Sequence, residues 1–199
     1  MKGYFFLLAL SGTAWIANLF CNAESFCFHE GIWRSGGLDG MKKKMDSLPY
    51  HFVGNSDCTN LLCLPLIEEM FPNSKAVVVQ RDLDLAIEDL KKVDLYDQDV
   101  AKVVEGMYEA LVQLDKGVLV VELDDLFQYE VAEEVRRYCG MVDELDEERF
   151  NLLKTLNVTT KYTTITSMKQ NASYTLHALD VNTKGAIMAS LDYFRMGGN

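Results

Sequence analysis

A turn of small residues near the amino terminus is suited to binding an anion. It follows an apolar run over residues 4–10 and precedes an amphipathic segment over residues 14–20. A strand that ends in such a turn and opens directly into a helix points several backbone N–H groups at one spot, where the helix dipole also favours negative charge. The sequence therefore predicts a phosphate-binding loop, which consists of Ser11, Gly12, Thr13, Ala14 and Trp15. The loop lacks the first glycine and the lysine of a Walker loop, which argues against ATP or GTP hydrolysis.

Residues that could act as a general base or bind a phosphate group follow two other apolar runs. His29 and Glu30 come directly after residues 25–28, and Arg81 comes shortly after residues 76–79. In an open parallel sheet, ligands bind at the carboxyl ends of the strands. His29 and Glu30 are therefore candidate general bases, and the Arg81 guanidinium is a candidate partner for a phosphate group.

Short apolar runs alternate with segments of helical period, which is typical of a parallel sheet covered by helices. The predicted strands are residues 4–10, 25–28, 50–53, 76–79 and 118–121, and the predicted helices are residues 14–20, 60–70, 83–90, 100–114, 131–138, 147–153 and 186–194. We expect an α/β protein of three αβα layers with a central, mostly parallel five-stranded sheet of the P-loop nucleotide-binding type. Residues 1–199 form one domain in this interpretation, and the Gly- and Lys-rich residues 36–44 form a mobile loop.

Several segments resemble, in order, those of sulfotransferases that use 3′-phosphoadenosine-5′-phosphosulfate. The loop at residues 11–15 is similar to the family's 5′-phosphosulfate loop, and residues 71–81 are similar to the strand that ends in an arginine for the 3′-phosphate. The later segments that resemble the family are residues 118–126, 135–140 and 147–158. The resemblance covers about residues 3–158, so residues 159–199 are expected to be a carboxyl-terminal extension of the same domain.

The resemblance implies transfer of a sulfuryl group from 3′-phosphoadenosine-5′-phosphosulfate to a hydroxyl group of a sugar, a small molecule or a tyrosine. The implied nucleotide-binding residues are Ser11, Gly12, Thr13, Ala14, Trp15 and Arg81. Glu30 or His29 is the implied catalytic base, and Glu30 is preferred because tyrosine-sulfating relatives use a glutamate in this region.

Three positions depart from the family pattern and support a second hypothesis. Leu10 replaces a cation before the loop, Ala14 replaces a second threonine, and Asp89 replaces a serine that binds phosphate. The glycine-rich loop near the family's carboxyl terminus is matched only by a fragment at residues 184–185. The alternative is therefore a catalytically inactive member of the fold that binds a nucleotide or a partner protein.

The candidate residues also have ordinary structural interpretations. Arg81 can pair with a neighbouring acid, Asp82 or Asp84, and Trp15 can pack in the core instead of stacking on adenine. His29 and Glu30 can belong to a solvated loop. Three further polar residues follow the third predicted strand at the same edge, but a turn explains them without a ligand. These three residues are Asn55, Ser56 and Asp57, and the lysines at 42–44 are most simply a solvated charged run.

The charge distribution argues against nucleic acid as a partner. The formal net charge is −11, and residues 81–150 contain 21 of the 30 acidic residues but 8 of the 19 basic ones. Such a surface repels a nucleic-acid backbone. No apolar stretch is long enough to span a membrane, so no membrane partner is expected either.

The five cysteines indicate a reducing environment, because they form no CxxC pair and their number is odd. A zinc site at Cys27, His29, Cys58 and Cys63 lacks the usual spacing, so no metal is expected. The apolar amino terminus after Lys2 also imitates a secretory signal, with Asn157 and Asn171 as glycosylation acceptors. A buried first strand explains the same residues, and we expect a cytoplasmic protein.

Overall fold

Five strands form one parallel sheet in the spatial order β2-β3-β1-β4-β5. The computed structural model describes residues 2–10, 12–114, 118–155 and 164–196. The strands are β1 (Gly3–Ala9), β2 (Ser25–His29), β3 (Phe52–Ser56), β4 (Lys75–Gln80) and β5 (Leu119–Glu122). β1 lies in the middle because its apolar side chains are covered on both faces, as expected for a central parallel strand.

Helices follow every strand. They are α1 (Thr13–Leu19), α2 (Gly31–Arg34), α3 (Leu38–Ser47), α4 (Thr59–Leu62), α5 (Leu64–Met70), α6 (Leu83–Lys92), α7 (Gln98–Gln113), α8 (Tyr129–Tyr138), α9 (Glu147–Lys154), α10 (Ile165–His177) and α11 (Val181–Arg195), with a 3₁₀ turn over Asp125–Phe127. Four helices begin at an aspartate whose carboxylate accepts a backbone N–H of the first turn. These aspartates are Asp82, Asp97, Asp146 and Asp180.

Alternate side chains of β1 enter two separate apolar cores. Phe5, Leu7 and Ala9 pack with α1, α8 and α9 on one face, whereas Phe6 and Leu8 pack with α3, α5, α7 and α11 on the other. The side chains alternate because successive residues of a strand point to opposite faces. The predicted α/β fold with a five-stranded parallel sheet is confirmed.

Three helical segments were not predicted from the sequence, one of which is the short helix α2. Residues 36–44 were expected to form a loop, but most of them belong to α3. Leu38, Met41 and Met45 of α3 are buried at helical spacing, and the lysines between them obscure this pattern. The helix α10 begins at a reciprocal capping box between Thr164 and Ser167, which the threonine-rich composition of the segment concealed.

Four strands, β2 to β5, extend further towards their carboxyl ends than predicted. β2 includes His29, and β3 includes Asn55 and Ser56, which the sequence had placed in a turn. Two residues of the sequence predictions, Ser11 and Asn157, lie outside the described residues. Among the described residues, no helix is both long and apolar enough to cross a membrane.

Candidate functional site

The candidate site lies at the edge of the sheet where the strands end. Ser56 of β3 is the register partner of both Leu7 of β1 and His29 of β2. On the other side of β1, Ala9 is level with Val79 of β4. The residues that follow these strands therefore share one edge, as the sequence predicted for a parallel sheet.

The turn after β1 reaches the end of β2 through a side-chain contact. Thr13 Oγ1 lies 3.1 Å from Nε2 of His29. Gly12 precedes α1 with a φ of 69°, and a Cβ there would lie 3.1 Å from the side chain of Leu123. A glycine is therefore needed where the chain turns from the sheet into α1. Ala14, the next residue of the predicted loop, is half-buried in α1.

Trp15 belongs to the core. Its side chain is 6% exposed, its Nε1 donates to the carbonyl of Leu153 at 2.8 Å, and its ring packs on Phe127 with centroids 4.6 Å apart. The core packing suggested as the ordinary interpretation of Trp15 is thus present. Leu10, which replaces the expected cation, is half-buried and packs against the core on the other face of the sheet, which α3, α5, α7 and α11 cover.

Glu30 is held in a left-handed backbone conformation at the end of β2. Its φ is 56°, and Nη2 of Arg34 lies 3.5 Å from its Oε2. The backbone N–H of Gly31 donates to Oδ1 of Asn55 at 2.8 Å, so β3 fixes the turn that follows Glu30. A side chain on Gly31 would collide with that same oxygen at 2.6 Å. Arg34 therefore brings a cation to this part of the edge.

Two buried asparagines join the ends of β1 and β3 next to the candidate site. The Nδ2 group of Asn55 donates to Oδ1 of Asn60 at 2.6 Å. In turn, the Nδ2 group of Asn60 donates to the carbonyls of Leu7 and Asn55, each at 3.0 Å. Buried amides that satisfy one another in this way fix β1, β3 and α4 in one arrangement.

Asp57 carries a buried carboxyl group at the end of β3. The residue is 3% exposed, and its Oδ1 accepts the backbone N–H of Thr59 at 2.9 Å. Its Oδ2 is also buried and has no hydrogen-bond partner among the residues that the structure describes. A buried polar atom without a partner is uncommon, which marks Asp57 as a candidate functional residue.

Burial raises the pKa of Asp57 from 3.8 to about 6. Hydrogen bonds from the backbone and side chain of Thr59 and from the side chain of Cys58 lower this pKa, and the negative charge of Glu30 raises it. Asp57 can therefore exchange a proton near neutral pH. Sequence reasoning had assigned Asp57 to an ordinary turn, although its position directly after an apolar strand was a usable signal.

Trp33 supports the segment that holds Asp57. The indole Nε1 donates to Oγ1 of Thr59 at 2.6 Å, which joins α2 to α4. The hydroxyl of Ser56, next to Asp57, is buried and lacks a hydrogen-bond partner within the described part of the chain. The end of β3 thus presents two adjacent polar side chains with hydrogen-bonding capacity that the surrounding described residues do not use.

Arg81 follows β4 and forms an ion pair. Its Nη1 lies 2.5 Å from Oδ2 of Asp89, and Nζ of Lys92 lies 3.2 Å from Oδ1 of the same carboxylate. Burial raises the pKa of Asp89, but the hydrogen bonds from Lys92 and Arg81 lower it below its usual value. Arg81 thus forms the ion pair with an acid that its ordinary structural interpretation expected, but the partner is Asp89. Asp82 instead caps α6.

The lysines at 42–44 do not gather at this edge. Lys42 bonds to Asp46 and lies over the ring of Tyr4, which stands near the start of β1. Lys44 Nζ donates to the backbone carbonyl of Arg34. The guanidinium of Arg34, in contrast, contacts the carboxylate of Glu30 at this edge.

The cysteines lack features of reactive or metal-binding thiols. All five are unpaired, and burial raises the pKa of Cys63 and of Cys139 to about 12. Burial also raises the pKa of Cys27 and of Cys58. Across the described residues, no group of three or more His, Cys, Asp or Glu side chains is arranged to hold a metal ion.

Comparison of the sequence with models of protein families and with curated proteins yields no significant match. The fold and the residues at the edge of the sheet therefore carry the functional argument.

Proposed function

We propose that this chain is a sulfotransferase-like enzyme that transfers a sulfuryl group from 3′-phosphoadenosine-5′-phosphosulfate to a hydroxyl acceptor. The observation that carries the proposal is the buried Asp57 carboxyl group, whose Oδ2 has no partner among the described residues. It lies at the edge of the sheet that also holds the contact between Thr13 and His29. The resemblance of residues 3–158 to sulfotransferases supports the choice of reaction.

Asp57 is the preferred base in this proposal, ahead of Glu30 and His29. A general base works best when its pKa lies near the operating pH, and burial brings the pKa of Asp57 to about 6. The acceptor hydroxyl must displace the groups that cover this carboxyl group, and the ionised carboxylate then takes its proton as the oxygen attacks sulfur. An oxygen–sulfur bond forms, the bond from sulfur to the bridging phosphate oxygen breaks, and adenosine 3′,5′-bisphosphate leaves.

The residues around the edge have distinct parts in the proposal. The backbone of Gly12 and Thr13 and the guanidinium of Arg81 bind the nucleotide, and Arg34 supplies the positive charge that Leu10 lacks. His29 fixes Thr13 through their mutual hydrogen bond. The unpaired thiols support a cytoplasmic location.

A second candidate is a catalytically inactive protein that binds a nucleotide or a partner protein. It is favoured by the packing of Leu10 into the apolar core and by the ion pair that occupies Arg81. An enzyme of this class needs a positive charge beside the negatively charged leaving group, and Leu10 cannot provide it.

Turnover of sulfur-labelled donor distinguishes the two candidates. The native protein is assayed with a panel of sugars, phenols and tyrosine peptides, beside Asp57→Asn and the control Asp124→Asn, which changes an exposed carboxylate after β5. The proposal expects transfer that Asp57→Asn abolishes and Asp124→Asn leaves unchanged. Nucleotide binding without transfer to any acceptor would favour the inactive protein.

A further inference from the structure

The carboxylate of Asp89 contacts the arginine at the end of β4. Nη1 of Arg81 lies 2.5 Å from Oδ2 of Asp89, which belongs to α6. The Arg81 side chain is 25% exposed and the Asp89 side chain is 42% exposed. A ligand at the edge of the sheet can therefore reach the pair from the solvent side.

Asp89 also has a second cation within reach. Nζ of Lys92 lies 3.2 Å from Oδ1 of Asp89, one helical turn further along α6. The carboxylate would thus keep a charged partner if its contact with Arg81 were broken. Since Lys92 is 67% exposed, it has the freedom to follow the carboxylate.

Arg81 has a further hydrogen-bond donor that is not used. Its Nε–H is buried and has no partner among the residues described in the structure. A guanidinium binds an oxyanion best through two parallel N–H groups, and Nε takes no part in the observed pair with Asp89. A ligand phosphate that turns the guanidinium and bonds both Nε and a terminal nitrogen would make better use of Arg81 than Asp89 does.

We propose that Asp89 is a built-in competitor for Arg81 and so determines which nucleotides the site accepts. The inference rests on the proposed nucleotide site. A ligand phosphate at this point must displace the carboxylate from Arg81 towards Lys92 and must also tolerate its negative charge. A ligand hydroxyl at the same point can donate to Asp89 and leaves the ion pair intact. Specificity of this kind comes from a repulsive element as well as from an attractive one, and carboxylate and arginine partners separate ribose hydroxyl from ribose phosphate in other nucleotide sites.

Calorimetric titration of Asp89→Asn tests the competition. The ligands are adenosine 3′,5′-bisphosphate and adenosine 5′-monophosphate, which differ only in the 3′-phosphate. The native protein is expected to separate the two nucleotides by less than about threefold in affinity. Asp89→Asn is expected to bind the bisphosphate about tenfold more tightly and the monophosphate with unchanged affinity.

Two further variants show whether the gain passes through Arg81. Glu88→Gln removes the same charge from an exposed neighbouring position of α6 and is expected to change neither affinity. In an Arg81→Gln background, the gain from Asp89→Asn is expected to disappear. Three results would overturn the competition: an unchanged affinity ratio in Asp89→Asn, an equal gain in Glu88→Gln, or a gain that persists without Arg81. In each case, binding of the monophosphate would still support the proposed nucleotide site. Absence of binding of both nucleotides to every variant would overturn the proposed function, and the inference with it.

Discussion

Oγ1 of Thr13 lies 3.1 Å from Nε2 of His29, and this contact connects the first residue of α1 to the last residue of β2. In the sheet, β3 separates β1 from β2, so the turn after β1 passes across the end of β3. Ser56 and Asp57, whose side chains carry unused hydrogen-bonding capacity, lie at this same end of β3.

Loss of the hydroxyl of Thr13 is expected to weaken this arrangement. Thr13→Val keeps the shape of the side chain but removes the hydrogen bond, which is worth about 1 kcal/mol in stability. Thr13→Ser keeps the bond and serves as the matched control. Chemical denaturation measures the free energy of unfolding, and a loss in Thr13→Ser with none in Thr13→Val would show that the methyl group of Thr13, and not the contact with His29, stabilises the turn.

The rate of transfer is expected to depend on pH through Asp57. A base must be ionised to accept a proton, so kcat/KM should rise tenfold per pH unit below about pH 6 and level off above it. Histidines titrate in the same range, and His29→Asn is therefore the control. A rise that persists in His29→Asn assigns the titration to Asp57, whereas a rise that vanishes there would assign it to His29.

Asp57→Asn is expected to stabilise the protein at alkaline pH. Burial raises the folded-state pKa from 3.8 to about 6, so the folded state binds this proton more tightly than the unfolded state. The resulting stability is present below about pH 4 and is lost as the pH rises through 6. The shift corresponds to about 3 kcal/mol at most.

Thermal and chemical unfolding at pH 8 and at pH 4 measure this effect. The gain of Asp57→Asn over the native protein should be between about 1 and 3 kcal/mol at pH 8 and should shrink towards pH 4. A variant that is less stable than the native protein at pH 8 would indicate that the ionised carboxylate stabilises the fold.

Transfer by the native protein is expected to be slow and to depend on Arg34. Leu10 leaves the position before the loop without a cation, and the loss of such a contact costs on the order of a hundredfold in rate. Arg34→Ala should lower turnover further, and Leu10→Lys should raise it, because the lysine stem can keep the apolar contacts of Leu10. Lys43→Ala, an exposed position of α3, is the control. Turnover that is rapid and insensitive to Arg34→Ala would show that the cation comes from elsewhere.

The sequence predicted the sheet better than its connections. Each of the five strands contains an apolar run, and burial on both faces of the central strand β1 leaves its run little choice of structure. The helix α3 was missed because only Leu38, Met41 and Met45 form its buried face, while the glycines and lysines around them are typical of a loop. Periodicity indicates a helix only when enough apolar residues recur at helical spacing on one face of the segment.

Only part of the candidate site could be predicted from the sequence. The proximity of Thr13 and His29 follows from parallel strands that end at one edge. The role proposed for Asp57 depends on its burial next to α4, which local sequence does not record. The pairing of Arg81 with Asp89 was also missed, because the partner lies two helical turns into α6 and not beside the arginine.

Titration of the native protein with adenosine 3′,5′-bisphosphate, beside ATP and GTP, tests the proposed nucleotide site most directly. The loop lacks the lysine that meets the terminal phosphates of nucleoside triphosphates. We therefore expect one bisphosphate per chain, bound at least about tenfold more tightly than either triphosphate, with a corresponding rise in melting temperature. Equal binding of all three nucleotides, or binding of none, would contradict the account.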